Sequence, residues 1–251
     1  MASTPRSLVR LAVIGVLPLL ALTSMSGTAN AAGQSHTSTL GSAGGSFSTT
    51  ISKSPSFAGY ISQKKHIKSV LATLEVPFIK KCPSTADGGM GPVVIVGGKK
   101  YFVGAGAEAS CRKGTTTYQI AVNYNGSESK FLSVKPKDEI TVYVTVGAKK
   151  TTVVIDDLTS KQKISKDVPA GVPTYADLGD DTLVDSSTNK QLPIPPFSDH
   201  RFTGVKINGR ALGTATPLSA QELVLRKTVL ILPGALSAKG TAFTMIFKNA
   251  G

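Results

Sequence analysis

Four aspartates fall close together late in the chain, Asp177, Asp180, Asp181 and Asp185. Grouped carboxylates do one of two things: they ligate a hard cation or they move protons as general acids and bases. A calcium loop needs closely alternating oxygen ligands and a bidentate carboxylate to close the shell, and this spacing does not match. Metal binding is therefore not expected of the cluster. The other chemistry-bearing residues are sparse. Three histidines, His36, His66 and His200, are scattered and form no H-x-x-x-H pair, so a catalytic metal has no evident ligands. Two cysteines, Cys82 and Cys111, are too few for a four-thiolate zinc site. No Gly-x-Ser-x-Gly elbow is present, and Ser/His or Cys/His nucleophile schemes gain no support. No cofactor is expected. Asp156-Asp157 reads as the end of a strand, and Asn125-Gly126-Ser127, though a glycosylation sequon, reads first as a hairpin turn.

The 251 residues carry 28 basic and 15 acidic side chains, a formal charge of +13. With 41% hydrophobic and 17% charged residues the chain can bury a core and is not a disordered polymer. The basic excess comes largely in pairs, Lys64-Lys65, Lys80-Lys81, Lys99-Lys100, Arg112-Lys113, Lys149-Lys150 and Arg226-Lys227. Most sit at expected turns, where lysine is well solvated and protects sheet edges. Nucleic-acid binding would call for a basic stripe interleaved with aromatics. The chain has no Trp and only 6% aromatics, so nucleic acid is not an expected partner. Attraction to anionic cell-surface polymer is the alternative use of the charge.

Arg6 and Arg10 precede an apolar run from Leu11 to Leu22, and a small polar stretch follows, ending in Ala29-Asn30-Ala31. These are the three parts of a secretory signal peptide, spanning residues 1–31. The run is shorter than the ~20 residues a membrane-spanning helix needs, so no membrane association is expected after cleavage. Removing Arg6 and Arg10 and no acid leaves 26 basic against 15 acidic residues, a charge of +11. Outside the cell Cys82 and Cys111 can pair with each other and with nothing else in the chain. Closing that loop contributes about 3.5 kcal/mol in the chain-entropy account.

The elements that must position these residues are strands. Residues 32–56 are rich in Gly, Ser, Thr and Ala and read as a flexible leader, and a single domain is expected over 57–251. Ile140, Val142, Val144 and Val146 alternate with Thr141, Tyr143 and Thr145, a half-buried strand of period two. Similar runs are Ser69–Pro77, Pro92–Val96, Tyr118–Tyr124, Thr151–Asp156, Arg201–Ile207, Leu223–Leu232 and Thr241–Lys248. Turns fall at Asn125-Gly126, Gly147–Lys150, Asn208-Gly209 and Pro233-Gly234. The best helix candidate, Leu218 to Val229, is rich in β-branched residues and fits a strand at least as well. The pattern predicts an all-β antiparallel sandwich or barrel.

Several segments, in order, resemble the glutamic peptidases called eqolisins. Phe57-Ala58-Gly59-Tyr60 is similar to that family's "W-x-G-Y", and Ser69 to Pro77 to its "S-V-x-A-T-W-T-V-P" strand. Pro92 to Gly98 falls at "W-V-G-I-D-G", Val103 to Ala107 at "x-Q-A-G-x", and Tyr118 to Gly126 at "Y-D-A-W-Y-E-W-Y-P". Lys135 to Ile140 resembles "x-P-G-D-x-I", Tyr175 to Asp181 lies at "A-E-W-I-V-E", and Pro196 to Thr203 at "x-F-x-x-V-x-F-T". The resemblance spans Phe57 to Lys248 and implies a jelly-roll-like double sheet and a secreted acid endopeptidase. In that family a glutamate serves as general base on the attacking water, and a glutamine amide supports the oxyanion.

Carried over position by position, neither group survives. Gly104 stands where the glutamine belongs, and Asp177 and Asp181 stand at the two glutamates, either of them matching the base. The family's supporting acids fall on Gly97, Gln119 and Asn123, and its cleft tryptophans on Val93, Leu74, Ala121, Tyr124 and Leu178. A shift of alignment would bring in Gln119, Glu108 or Gln191, none with matching flanks. Losing one oxyanion donor costs about 10²–10³ in rate, and a ~1 Å misplacement of a catalytic group about 10². The resemblance thus implies a catalytically impaired homologue that binds extended peptide or anionic surface polymer. The competing expectation is an acid endopeptidase with Asp181 or Asp177 as its base.

Overall fold

A computed structural model describes residues 9–11, 49–85, 87–185 and 190–250. Short alternating apolar runs, cut by Gly, Asn and Lys turns, give strands almost throughout. Among the described residues the one helical turn is the 3₁₀ segment Leu212–Thr214. The strands are β1 (Val9–Leu11), β2 (Thr50–Ser54), β3 (Phe57–Ser62), β4 (Ser69–Glu75), β5 (Gly88–Gly98) and β6 (Tyr101–Arg112). Next come β7 (Thr115–Tyr124), β8 (Ser127–Ser133), β9 (Glu139–Val146), β10 (Lys150–Asp157), β11 (Lys163–Pro169) and β12 (Tyr175–Asp185). The last are β13 (Lys190–Gln191), β14 (His200–Ile207), β15 (Arg210–Ala211), β16 (Leu218–Leu225), β17 (Thr228–Pro233) and β18 (Phe243–Phe247).

Pairing arranges them in two layers. One runs β2–β16–β3–β12–β5–β6–β7–β8, and the other β17–β18–β14–β4–β9–β10–β11. All of these pairs are antiparallel except β2 with β16, and the β16–β17 hairpin carries the chain from one layer to the other. This is the expected double-sheet sandwich. Its core lies between the layers, where Ala58, Tyr60, Val94, Val96, Val103, Ala105, Ile120, Val122 and Leu178 of the first meet Val70, Leu74, Ile140, Val142, Val153, Phe202 and Met245 of the second. Polar links cross the core as well. The Tyr101 hydroxyl donates to Thr151 Oγ1 at 2.6 Å, and the Tyr60 hydroxyl to the Gly234 carbonyl at 2.8 Å.

Turn chemistry fixes the hairpins. Asn125-Gly126 (φ 47° and 85°) and Asn208-Gly209 (φ 52° and 76°) each put two residues in the left-handed region, as tight two-residue hairpins require. Cys82 and Cys111 form a disulfide with a Cα–Cα distance of 5.4 Å, tying the loop after β4 to the end of β6.

Three segments refine the sequence readings. Leu223–Leu232 is not one strand: Arg226 (φ 58°) and Lys227 turn the chain, giving β16 and β17. The helix candidate at Leu218 is β16, because its residues pair with β2 and β3. The end of the segment read as a leader contains β2, which pairs with β16 in register Thr50 to Ser219. Within the segment read as a signal peptide, β1 pairs with the end of β12. The rest of that segment, and residues 32–48 of the leader, lie outside the described residues.

Candidate functional site

The face of the first layer turned away from the core carries the cleft. Alternation along β12 sends Ala176, Leu178 and Asp180 inward, leaving Tyr175, Asp177, Gly179 and Asp181 on the outer face. The register joins that face into rows. One row is Ser219–Ile61–Asp177–Ile95–Gly104–Asn123, and the next is Gln221–Gly59–Gly179–Val93–Gly106–Ala121. The second is lined by glycines for a steric reason. A Cβ on Gly179 would lie 2.0 Å from the Ala58 carbonyl oxygen, and one on Gly106 at 2.0 Å from that of Pro92. The strands approach so closely there that no side chain fits between them. On this face opens a cleft of about 1060 Å³, walled by Phe57, Ile61, Ile95, Phe102 and Tyr175 and containing Asp177, Asp181 and Gln221.

The register places Asp177, not Asp181, on the row of Gly104. Asp177 is half-buried with one side open to the cleft, while its Oδ1 is enclosed without a hydrogen-bond partner. Burial pushes its carboxyl up to about 8. Asp181 is buried, 2% exposed. Burial holds it well above the usual carboxylate range; the Thr182 backbone N–H, donating at 3.0 Å, pulls the other way, and the nearby charges of Asp177 and Asp180 add to the rise. Tyr175 is also raised, to about 12, by burial and then by the charge of Asp177. Both candidate bases are thus protonated in acid. A protonated carboxyl donates hydrogen bonds but accepts no proton from water.

Gly104 has no amide to offer, and its neighbourhood has been refilled. A Cβ there would stand 3.0 Å from Cζ of Phe102, and one at Gly97 would stand 2.2 Å from Cζ of Tyr175. Asn123 is buried and its Oδ1 accepts the Gly126 N–H at 2.9 Å, which secures the β7–β8 turn. Gln119 donates to Glu108 Oε2 at 2.7 Å, and Gln191 to the Pro55 carbonyl at 2.7 Å. None of these four side chains lines the cleft. The cluster of aspartates is split by the strand. Asp180 points into the core, where His200 Nε2 lies 2.8 Å from its Oδ1. Among the described residues no three His, Cys, Asp or Glu side chains gather closely enough to hold a metal ion.

Sequence reasoning missed Gln221, Phe102 and Tyr175 as cleft residues. Only the pairing of β16 with β3 brings Gln221 opposite Gly59. Tyr175 is adjacent to the recognised Ala176-Asp177 segment, but its occupation of the space beside Gly97 depends on the β12–β5 register.

Known structures share this architecture. Scytalido-glutamic peptidase, solved with a transition state analog inhibitor, superposes with a TM-score of 0.62 at 18% identity, covering 77% of this chain and 98% of that one. SCP-B, an eqolisin solved with the tripeptide Ala-Ile-His, gives 0.58 at 18% identity and the same coverage. The aspergilloglutamic peptidase from Aspergillus niger gives 0.53 at 15% identity, over 65% of this chain and 99% of that one. No curated protein sequence matches this chain. The sequence profile of the Peptidase A4 family matches residues 55–227, which include the cleft strands β3, β5, β6 and β12. The two-layer fold and that match lead to one conclusion: the chain belongs to the Peptidase A4, or eqolisin, family.

Proposed function

We propose that this is an exported eqolisin-fold protein whose cleft holds extended peptide without cutting it. The observation that carries the reading is Gly104 with the Phe102 ring against it. The position of the family's glutamine is empty of amide, and an aromatic ring takes the adjoining space. An apolar wall with a few polar groups suits peptide binding, with Asp177 and Gln221 supplying hydrogen bonds to backbone amides. The Arg6-Arg10 and Leu11–Leu22 segment and the disulfide support export.

A second reading rests on Asp177 alone, which opens to the cleft and shares the row of Gly104. As a base it would work only once ionised, so any activity would rise as pH passes about 8 rather than in acid. Incubation with a peptide library from acid to alkaline pH, read by mass spectrometry, separates the two. Intact peptides at every pH are expected. Cleavage that grows above neutrality and disappears in Asp177→Asn would replace the binding reading with the catalytic one.

A further inference from the structure

We propose that the cleft selects acidic peptides, seating their anionic group at the end framed by Lys65, Lys99 and Lys100. The inference rests on the peptide-binding reading above and names its ligand class. The lysines reach the cleft from two separate places in the fold. Lys99 and Lys100 form the turn between β5 and β6, and Lys65 lies in the loop after β3. Exposed lysines at turns are commonplace. Three from two loops that line one cleft are a more specific arrangement. All three are exposed, and among the described residues none is in an ion pair.

The same end of the cleft offers apolar contact. Val172 is 75% exposed on its rim, beside Pro173 and the Tyr175 ring, so a ligand seated here meets hydrocarbon and positive charge together. The carboxyls that line the cleft, Asp177 and Asp181, lie on β12 and not on the loops that carry the lysines, and burial holds both above the usual carboxylate range. A cleft with a cationic end and apolar walls is complementary to a chain carrying carboxylates at one end, through side chains or its C-terminus. The apolar wall of Phe57, Ile61, Ile95 and Phe102 suits the side chains of an extended peptide better than a sugar polymer, so peptide is the occupant argued here.

The test is fluorescence anisotropy with labelled peptides of equal length that are acidic, neutral or basic, at low and high salt. Wild type is expected to bind acidic above neutral above basic peptide, with the preference shrinking in high salt. Each of Lys65→Ala, Lys99→Ala and Lys100→Ala should weaken acidic-peptide binding about two- to fivefold, and neutral-peptide binding little. The triple charge reversal to Glu should invert the order; because the three are exposed, its melting temperature should stay near that of wild type. Equal binding of all three peptides, lost in the cleft-filling variant Gln221→Trp, would overturn acidic selection and leave the peptide cleft standing. Binding of polyphosphate with no peptide bound would overturn both in favour of a surface polymer.

Discussion

Asp180 and His200 are both buried and lie 2.8 Å apart, yet they face away from the cleft. Their place is the core between the layers, where β12 meets β14, and their role is in stability. Burial opposes the charged imidazole, but the Asp180 carboxylate and its hydrogen bond outweigh that and raise His200 above its ordinary value. Burial likewise raises Asp180, against the pull of His200. Asp177 and Asp181 are raised too. The sign follows from linkage: each raised group binds its proton more tightly in the folded chain than in the unfolded one. The stability this provides is complete below the unfolded value. For Asp177 it is lost as pH rises from about 3.8 through about 8, for Asp180 and Asp181 as pH rises above about 3.8, and for His200 above about 6.5. Asp157 acts in the opposite sense; burial works against its charge, but hydrogen bonds from Ser160 and Thr159 lower it, so its contribution is lost in acid. With four groups against one buried opponent, thermal unfolding should show greater stability in mild acid than at about pH 8. Asp181→Asn, which keeps the neutral shape, should raise the melting temperature at the alkaline end and leave the acid end nearly unchanged. Equal melting temperatures for this variant and wild type at every pH would remove Asp181 from the account.

At the scale of strands, the glycines of β3 and β12 set how closely those strands pack. Gly179→Ala drives a methyl to 2.0 Å from the Ala58 carbonyl oxygen, against β3 backbone with nothing flexible to yield. The expected cost is about 3 kcal/mol, roughly 6–12 °C in melting temperature for a domain of this size. Gly126→Ala meets open space and pays only for its φ of +85°, about 1–2 kcal/mol. A Gly179 variant as stable as wild type would mean the strands can part. The contrast also shows what the sequence could reveal. The period-two run from Ile140 to Val146 gives β9 directly, and Asn125-Gly126 and Asn208-Gly209 give their hairpins, because local conformation and face polarity agree there. β6 escapes such reading, since its outer face carries Gly104 and Gly106 and its inner face Ala105, Ala107 and Ala109, so side-chain size hardly alternates. Its position follows from the family motifs instead. The aspartate cluster was legible as chemistry, but its division between cleft and core depends on strand parity, and Gln221 joins the site only through a pairing more than 150 residues away in sequence.

Taken as a whole molecule, this is an eqolisin sandwich. Core alternation, hairpin turns and a disulfide hold the two layers together. A cleft lies on the outer face of one of them, walled in part by Phe102 and Tyr175 and lined also by Lys65, Lys99 and Lys100. The absence of Trp, first a bare count, fits a cleft whose aromatic walls are Phe and Tyr. The central claim, that the cleft retains peptide and leaves it whole, is tested most directly by recovering the protein with its bound peptides. After incubation with a mixed peptide pool, the protein is isolated by gel filtration, and its ligands are released and weighed by mass spectrometry. The account predicts intact, acid-rich peptides bound in stoichiometric amount, with the Gln221→Trp variant empty. Truncated peptides, or none bound to wild type, would contradict it.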